Sequence, residues 1–316
     1  LRPTQSWGRT AQETAAALSK EGRVAAIGIA GENRVRYATI SAEGRHAGRG
    51  GLGAIMGAKR LKAIVVSGDH DTVAAHPEEV ERQARRLRDR ARGDATAKYS
   101  EIGTIGNLLA FDRMGALPTR NFQESHFEGA EALSAERWQK DRKHRRASCA
   151  DCTIGCEHRY GYKAPGGESK DVRIEYESLF ALGPLCGVAD PDLVLAAAAK
   201  CDALGLDTIS AGATLAFAME CGERGELSGG PVFGDDPSEW LSLIATREGL
   251  GDFLAEGSRR MAESIGGDAL SRAPQVKGLE LPGYEPRTLQ TMALGLAVGT
   301  RGADHNRSGA YEADFS

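Results

Sequence analysis

Three cysteines share one short run, Cys149-Ala-Asp-Cys152-Thr-Ile-Gly-Cys156. Spacing this tight brings several thiolates to one point, the geometry that an iron–sulfur cluster requires. Two cysteines would make a redox pair and four would complete a site. Three leave one ligand to come from elsewhere, or one iron open. Zinc is the rival reading, because Cys-x-x-Cys is also half of a zinc knuckle. The spacing by itself leaves the two metals open.

Four further segments carry reactive residue types. Glu175-Tyr176-Glu177 opens a helical pattern soon after Cys156. Arg301-Gly-Ala-Asp-His305-Asn-Arg307 is dense in groups able to move protons or bind phosphate. His305 is of the type that serves as a general acid or base, though a surface histidine explains it as well. In Asp202-Ala-Leu-Gly205-Leu206-Asp207-Thr208, Gly205 is a natural helix stop and Asp207 a natural cap for the next helix. Capping accounts for every residue there. Two carboxylates and exposed amides would equally suit a ligand rich in N–H donors, such as a pterin. Gly48-Arg49-Gly50-Gly51-Leu52-Gly53 is neither a Walker loop nor a dinucleotide fingerprint. Its glycines would let backbone approach a phosphate while Arg49 holds it, and Lys59, Arg60 and Lys62 add charge nearby. The alternative is a tight turn with a basic surface.

The elements that must position these groups follow from periodicity and punctuation. Residues 1–20 read as a short helix through Trp7, Ala11, Thr14 and Leu18. Stretches 24–29, 37–40 and 63–67 read as strands around the glycine-rich loop. Residues 77–92 read as a charged helix with Pro77 in its first turn and its arginines in solvent. Beyond it the chain reads as mainly helical, over 176–182, 191–204, 210–224, 240–247, 251–265 and 289–298. Residues 277–283 read as a connector and a candidate domain boundary.

The 316 residues are 41% hydrophobic and 27% charged, which fits a soluble chain of two domains or parts of three. A net charge of −4 argues against nucleic acid as a partner. No apolar run approaches the ~20 residues of a membrane span. Six cysteines, three of them clustered, fit a reducing cytoplasm better than a disulfide scaffold. The first residues lack the apolar core of a signal peptide, and both ends read as cut, so a longer polypeptide is expected.

Taken in order, these motifs resemble the tungsten-containing aldehyde:ferredoxin oxidoreductase family. The likeness also runs through Leu117-Pro-Thr-Arg-Asn-Phe122, Leu185-Cys186-Gly187 and Val276-Lys-Gly-Leu-Glu-Leu-Pro282, and covers nearly the whole chain. The resemblance implies an α+β fold. Residues 1–67 would be the C-terminal part of an N-terminal β pterin-binding domain. Residues 76–275 would be a helical domain holding the cysteine and first pterin motifs, and 276–316 the start of a third, helical domain. It implies a tungsten bis-molybdopterin, Mg2+ bridging the pterin phosphates, and a 4Fe-4S cluster that passes electrons to ferredoxin or another electron-transfer subunit in an oligomeric assembly.

Residue by residue, the resemblance makes Cys149, Cys152 and Cys156 cluster ligands. It makes Asp202, Gly205, Leu206 and Asp207 a pterin segment, and Arg49, Gly50 and Gly51 part of the phosphate and magnesium site. Glu175 and His305 become the catalytic pair, and Arg307 a pterin or phosphate contact. The implied activity is oxidation of an aldehyde to a carboxylic acid. The family's fourth cluster cysteine and second pterin segment lie downstream of the histidine motif. The stretch 1–316 alone is therefore not expected to hold a complete cofactor set. Around residues 303–312 the sequence is similar to the tungsten subunit of class II benzoyl-coenzyme A reductases, so reduction of an aromatic thioester ring is the alternative chemistry. A zinc-knuckle binding module and a cofactor-free fragment are readings from other classes.

Overall fold

The computed structural model describes residues 6–70, 72–164, 166–307 and 309–314. Helix α1 (Ala11–Leu18) begins at a reciprocal cap between Thr10 and Glu13. The expected helix over 1–20 therefore starts only at Ala11, and residues 1–5 lie outside the described residues. Strand β1 (Arg23–Ile27) leads into the short helix α2 (Ile29–Glu32), which takes the end of the run expected to be extended. Then come β2 (Ile40–Ala42), β3 (Arg45–Ala47), helix α3 (Leu52–Ala58) and β4 (Ala63–Val66). These four strands form one antiparallel sheet in the order β3-β2-β1-β4.

The strand expected at 37–40 starts only at Ile40, because the residues before it pair elsewhere. Ala38 bridges Leu206, the Thr39 amide donates to the Gly205 carbonyl at 2.8 Å, and the Asp207 amide donates to the Tyr37 carbonyl at 3.0 Å. Backbone groups that could have extended the sheet instead join it to the helical part of the chain.

Helix α4 (Pro77–Ala91) buries none of its residues, and Arg82 and Arg85 pair with Glu79 and Glu81 on its own surface. After α5 (Asp94–Glu101), α6 (Asn107–Arg113) and α7 (Ala135–Asp141) comes a second antiparallel sheet. Its strands β5 (His144–Ala147), β6 (Glu157–Lys163) and β7 (Ser169–Ile174) lie in the order β5-β6-β7. This sheet was not expected from the sequence, where the region read as helical. Tyr160, Tyr162, Val172 and Ile174 are buried on one face while Arg145, Arg159 and Arg173 share the other, a period of two.

Next come α8 (Tyr176–Leu182), α9 (Pro191–Leu204) and α10 (Thr208–Glu223). Residues 209–221 of α10 are all buried, so this helix is the axle of the core. Then follow α11 (Ser238–Thr246), α12 (Leu250–Leu254) and α13 (Ser258–Ile265). The single helix expected over 251–265 breaks at Gly257, whose φ of +83° no helix accepts. Residues 277–283 form the turn and second strand of a small hairpin of β8 (Gln275–Val276) and β9 (Leu279–Glu280), exposed at Lys277 and Gly278 and buried from Leu279 on, with Glu280 only 3% exposed. Helices α14 (Gln290–Val298) and α15 (Tyr311–Asp314) close the described chain. The fold is α+β, as expected. One hydrophobic core runs from Val35 and Tyr37 through Leu108 and Phe180 to Leu215 and Met261.

Gly28 measures how closely the two parts meet. A Cβ built there would lie 2.2 Å from the Leu204 carbonyl oxygen, whereas one at Gly48 meets nothing within 4 Å. Gly28→Ala is expected to cost about 1–3 kcal/mol of stability by overpacking. Gly48→Ala should stay within about 0.5 kcal/mol of wild type. Urea unfolding checks both, and equal midpoints for the two variants would contradict the contact.

Candidate active-site cavity

A cavity of about 1080 Å³ opens between the first sheet, α6, α8 and the 301–307 segment. His46, Arg49, Glu175, Glu177, His305 and Arg307 are among the residues lining it. His305 sits in a one-turn helix fixed by Asp304, which accepts from the Asn306 amide at 3.0 Å and pairs with Arg301 at 2.9 Å. The His305 ring lies 5.7 Å from the Tyr284 ring, and its Nε2 is 3.8 Å from Glu177 Oε1. Glu177 Oε2 accepts from the Gly283 amide at 2.9 Å. Glu177 Oε1 and His305 Nδ1 are buried without a hydrogen-bond partner among the described residues. Burial pushes the Glu177 carboxyl up from its ordinary value, opposed by His305, the Gly283 amide and Arg49.

Glu175 lines the same cavity as His305 but is not its partner. Its carboxylate accepts from Arg173 at 2.9 Å and from the Thr104 hydroxyl at 2.6 Å. The two expected catalytic residues, Glu175 and His305, thus share one cavity, and the acid nearest His305 is Glu177. The reason is local: Glu175 is the N-cap of α8, and residues two apart leave a helix on different sides. The Glu-Tyr-Glu motif contained both acids, and only the position of the cap distinguishes them.

Arg49 is set by the glycine-rich turn that follows it. Gly50 and Gly51 take φ values of +100° and +72°, and a Cβ on Gly51 would lie 2.1 Å from the Arg36 carbonyl oxygen. This tight turn directs Arg49 inward. Its Nε pairs with Asp207 at 3.2 Å, and its Nη1 and Nη2 donate to the Ala303 and Glu280 carbonyls at 2.6 Å each. Each guanidinium nitrogen has a partner in the protein, so the side chain clamps these segments together while it lines the cavity. Further cations lie beside it, each also paired or hydrogen-bonded within the protein. Arg36, Arg259, Arg260, Lys277 and Arg301 line a second cavity of about 460 Å³, with Gly50 on its wall.

Gly205, Leu206 and Asp207 form the seam with residues 37–39 and do not line the large cavity. Asp207 both caps α10, accepting from the Ile209 amide at 3.2 Å, and holds Arg49. Asp202 is fixed by a relay that the sequence did not reveal. His46 Nε2 lies 3.1 Å from Asp202, and His46 Nδ1 lies 2.9 Å from the Ser41 hydroxyl across the β2–β3 pair.

The three clustered cysteines occupy the loop between β5 and β6. Cys149 is exposed, and Cys152 and Cys156 are half-buried. Burial, Glu175 and the neighbouring thiols raise the Cys156 thiol above its ordinary value. Among the described residues no group of three His, Cys, Asp or Glu side chains is arranged to hold a metal ion. The loop offers three soft donors, which suit an iron–sulfur cluster or zinc, but not a finished ligand set. Cys186, Cys201 and Cys221 are buried and supply no fourth ligand; the Cys186 thiol faces the Ala181 and Gly212 carbonyls. The partnerless atoms of Glu177 and His305, on the wall of a large cavity, fit a site that a further group completes.

Arg49 offers a direct test of this assembly. Arg49→Ala leaves Asp207, 5% exposed, without its ion pair, and is expected to cost about 3–5 kcal/mol in urea unfolding. Adding Asp207→Asn should recover part of the loss. A wild-type midpoint for Arg49→Ala would remove the clamp.

The sequence matches the family description "Aldehyde ferredoxin oxidoreductase, N-terminal domain" over residues 2–68 and "Aldehyde ferredoxin oxidoreductase, domains 2 & 3" over residues 80–315. It is 40% identical over 319 residues to the tungsten-containing aldehyde ferredoxin oxidoreductase of Pyrococcus furiosus, covering 95% of this chain and 51% of that protein. It is 31% identical over 318 residues to an aliphatic sulfonate oxidoreductase, WOR-like subunit, of the same organism, covering 94% and 50%. Among solved structures it resembles the active site complex BamBC of benzoyl coenzyme A reductase in complex with 1,5 dienoyl-CoA. That match has a TM-score of 0.73 and 28% identity, and covers 93% of this chain and 48% of that one. The chain thus spans about half the length of these relatives. With both descriptions matched in order along nearly its whole length, the chain belongs to the aldehyde ferredoxin oxidoreductase family.

Proposed function

We propose that this chain is part of a tungstopterin oxidoreductase that oxidises aldehydes to carboxylic acids. Its electrons would leave through a 4Fe-4S cluster to ferredoxin or another electron-transfer subunit in a reducing, cytoplasmic setting. The observation that carries the reading is the Glu177–His305 pair, half-satisfied on the wall of the large cavity. The family relationship supplies the chemistry: a bound tungsten bis-pterin accepts the two electrons of the oxidation.

The chain's own residues have separable tasks. An aldehyde and a water give a carboxylic acid, two electrons and two protons. Glu177, kept basic by burial, takes a proton from the attacking water. His305 donates a hydrogen bond to the carbonyl oxygen. Asp202, held by His46 on the cavity wall, faces the pterin, and the 205–207 segment fixes the seam behind it. Gly50, Arg301, Lys277 and Arg307 serve its phosphates and their Mg2+. Cys149, Cys152 and Cys156 hold the cluster with a fourth ligand from the rest of the protein. On this reading residues 1–67 belong to the pterin-binding base, 76–275 to the helical domain above it, and 276–316 to the start of a third domain.

A second reading is favoured by the likeness to the benzoyl coenzyme A reductase complex. Phe111, Tyr176 and Tyr284 pack together behind His305, with Tyr176 edge to face against both and 5.2 Å from Phe111. An aromatic thioester ring could lie against such a wall, and His305 would then donate a proton to it.

The full-length protein, purified without air, separates the two by dye-linked aldehyde oxidation against reduction of an aryl thioester. Glu177→Gln is expected to lower kcat about 10²-fold or more while tungsten and pterin content stay at wild-type levels. A base works when ionised, so wild-type kcat/KM should rise with pH through a value above the ordinary 4.5 of a glutamate, and the variant should lack that rise. Undiminished turnover in Glu177→Gln would exclude the role.

A further inference from the structure

We propose that the exposed side of the β5–β7 sheet, with the end of α7, is the docking surface for a small acidic electron-carrier protein, received beside the cysteine loop. The inference rests on the electron-transfer reading above and adds where the carrier sits and what holds it.

Charge is the first observation. Residues 137–173 contain ten Lys and Arg against five Asp and Glu, in a chain whose net charge is −4. The positive excess is therefore local and the remainder of the chain is acidic. Lys143, Arg145, Arg146, Lys163 and Lys170 are exposed. Lys143, Arg146 and Lys163 have no ion pair among the described residues, whereas Arg145 and Arg159 share Asp171 at 2.9 Å each. Lys143, Arg145, Arg159, Lys163 and Lys170 converge on a concavity of about 830 Å³.

Position is the second observation. β5 runs into Cys149 with only Ser148 between, and β6 starts directly after Cys156. At about 3.3 Å per residue, Arg145 lies within ~13 Å of Cys149 along the chain. Arg146 comes closer still. Its Nε would lie 3.2 Å from a Cβ on Gly155, and its Nη1 donates to the Ser100 carbonyl at 2.9 Å. A fixed guanidinium thus borders a loop whose first cysteine is exposed.

The shape and chemistry favour a transient guest. β5 is an edge strand, and a row of cations on such an edge blocks strand addition. Contact therefore falls to side-chain charge, which speeds encounter and orients the partner without a large apolar interface. Small redox interfaces of this kind let the carrier leave after each electron. A long polyanion such as nucleic acid would also meet the acidic remainder of the surface; a compact acidic protein need not.

The test uses the full-length protein and a small acidic ferredoxin, with binding measured by anaerobic titration. The double variant Lys143→Glu/Lys163→Glu should weaken the ferredoxin Kd about tenfold at low salt. Wild-type binding should weaken as salt rises from ~0.05 to ~0.3 M. Arg82→Glu on α4, a cation that is also exposed but lies outside the sheet, should leave Kd within about twofold of wild type. Dye-linked turnover should be the same in all three proteins, which shows that the variants are folded. An unchanged Kd in the double variant, or an equal loss in Arg82→Glu, overturns the docking surface while leaving the activity standing. Absence of dye-linked aldehyde oxidation in wild type would instead sink the activity, and the Kd comparison would still decide the surface.

Discussion

A buried positive charge organises this molecule. Arg49 is 9% exposed on its side chain, so most of its solvation must come from acceptors within the protein. It finds them on three segments far from it in sequence, at Asp207, Glu280 and Ala303. Ser210 stands between Asp207 and Glu280, at 2.9 and 2.6 Å, and Ser258 donates to the far side of Glu280. Two buried carboxylates, two hydroxyls and one guanidinium thus form a single network. Each member is tolerable only because the others are present. The glycine-rich turn, the start of α10, the β8–β9 hairpin and the 301–307 segment are held together by it, and the floor of the cavity is fixed as a result.

What the sequence disclosed follows the reach of each signal. Helices α8 and α9 were legible because their punctuation is local: Asp190 and Pro191 open α9, and Gly205 closes it at φ +80°. The strands of the second sheet were not legible. Their outward positions carry arginines and lysines and their inward ones tyrosines and a histidine, so the strand composition is diluted and the cysteine loop interrupts the pattern. The family likeness brought Arg49, Asp207, Glu175 and His305 into view as a set. It could not decide between a guanidinium turned outward to an anion and one turned inward to carbonyls. That choice lies with contacts more than 200 residues away. The Ser41–His46–Asp202 relay was hidden for the same reason, since half of it depends on strand register and half on the end of α9.

The axle helix α10 sets the tolerance of the whole. A Cβ on Gly212 would lie 2.2 Å from the Ala181 carbonyl oxygen, so α8 and α10 touch at backbone distance. α8 also carries the acids of the cavity, so its placement, and theirs, is inherited from a glycine in a neighbouring helix. Close packing transmits such constraints because interiors have little free volume.

Glu175 and Glu177 leave the head of α8 in different directions. One is close enough to shift the Cys156 thiol, and the other stands against His305. The first turn of this helix therefore carries one acid within electrostatic reach of the thiols and one beside the imidazole, both on one cavity. A helix is only about 10–12 Å across with its side chains, and its interior screens charge poorly. Any change of charge on one side is therefore felt on the other across a single helical turn.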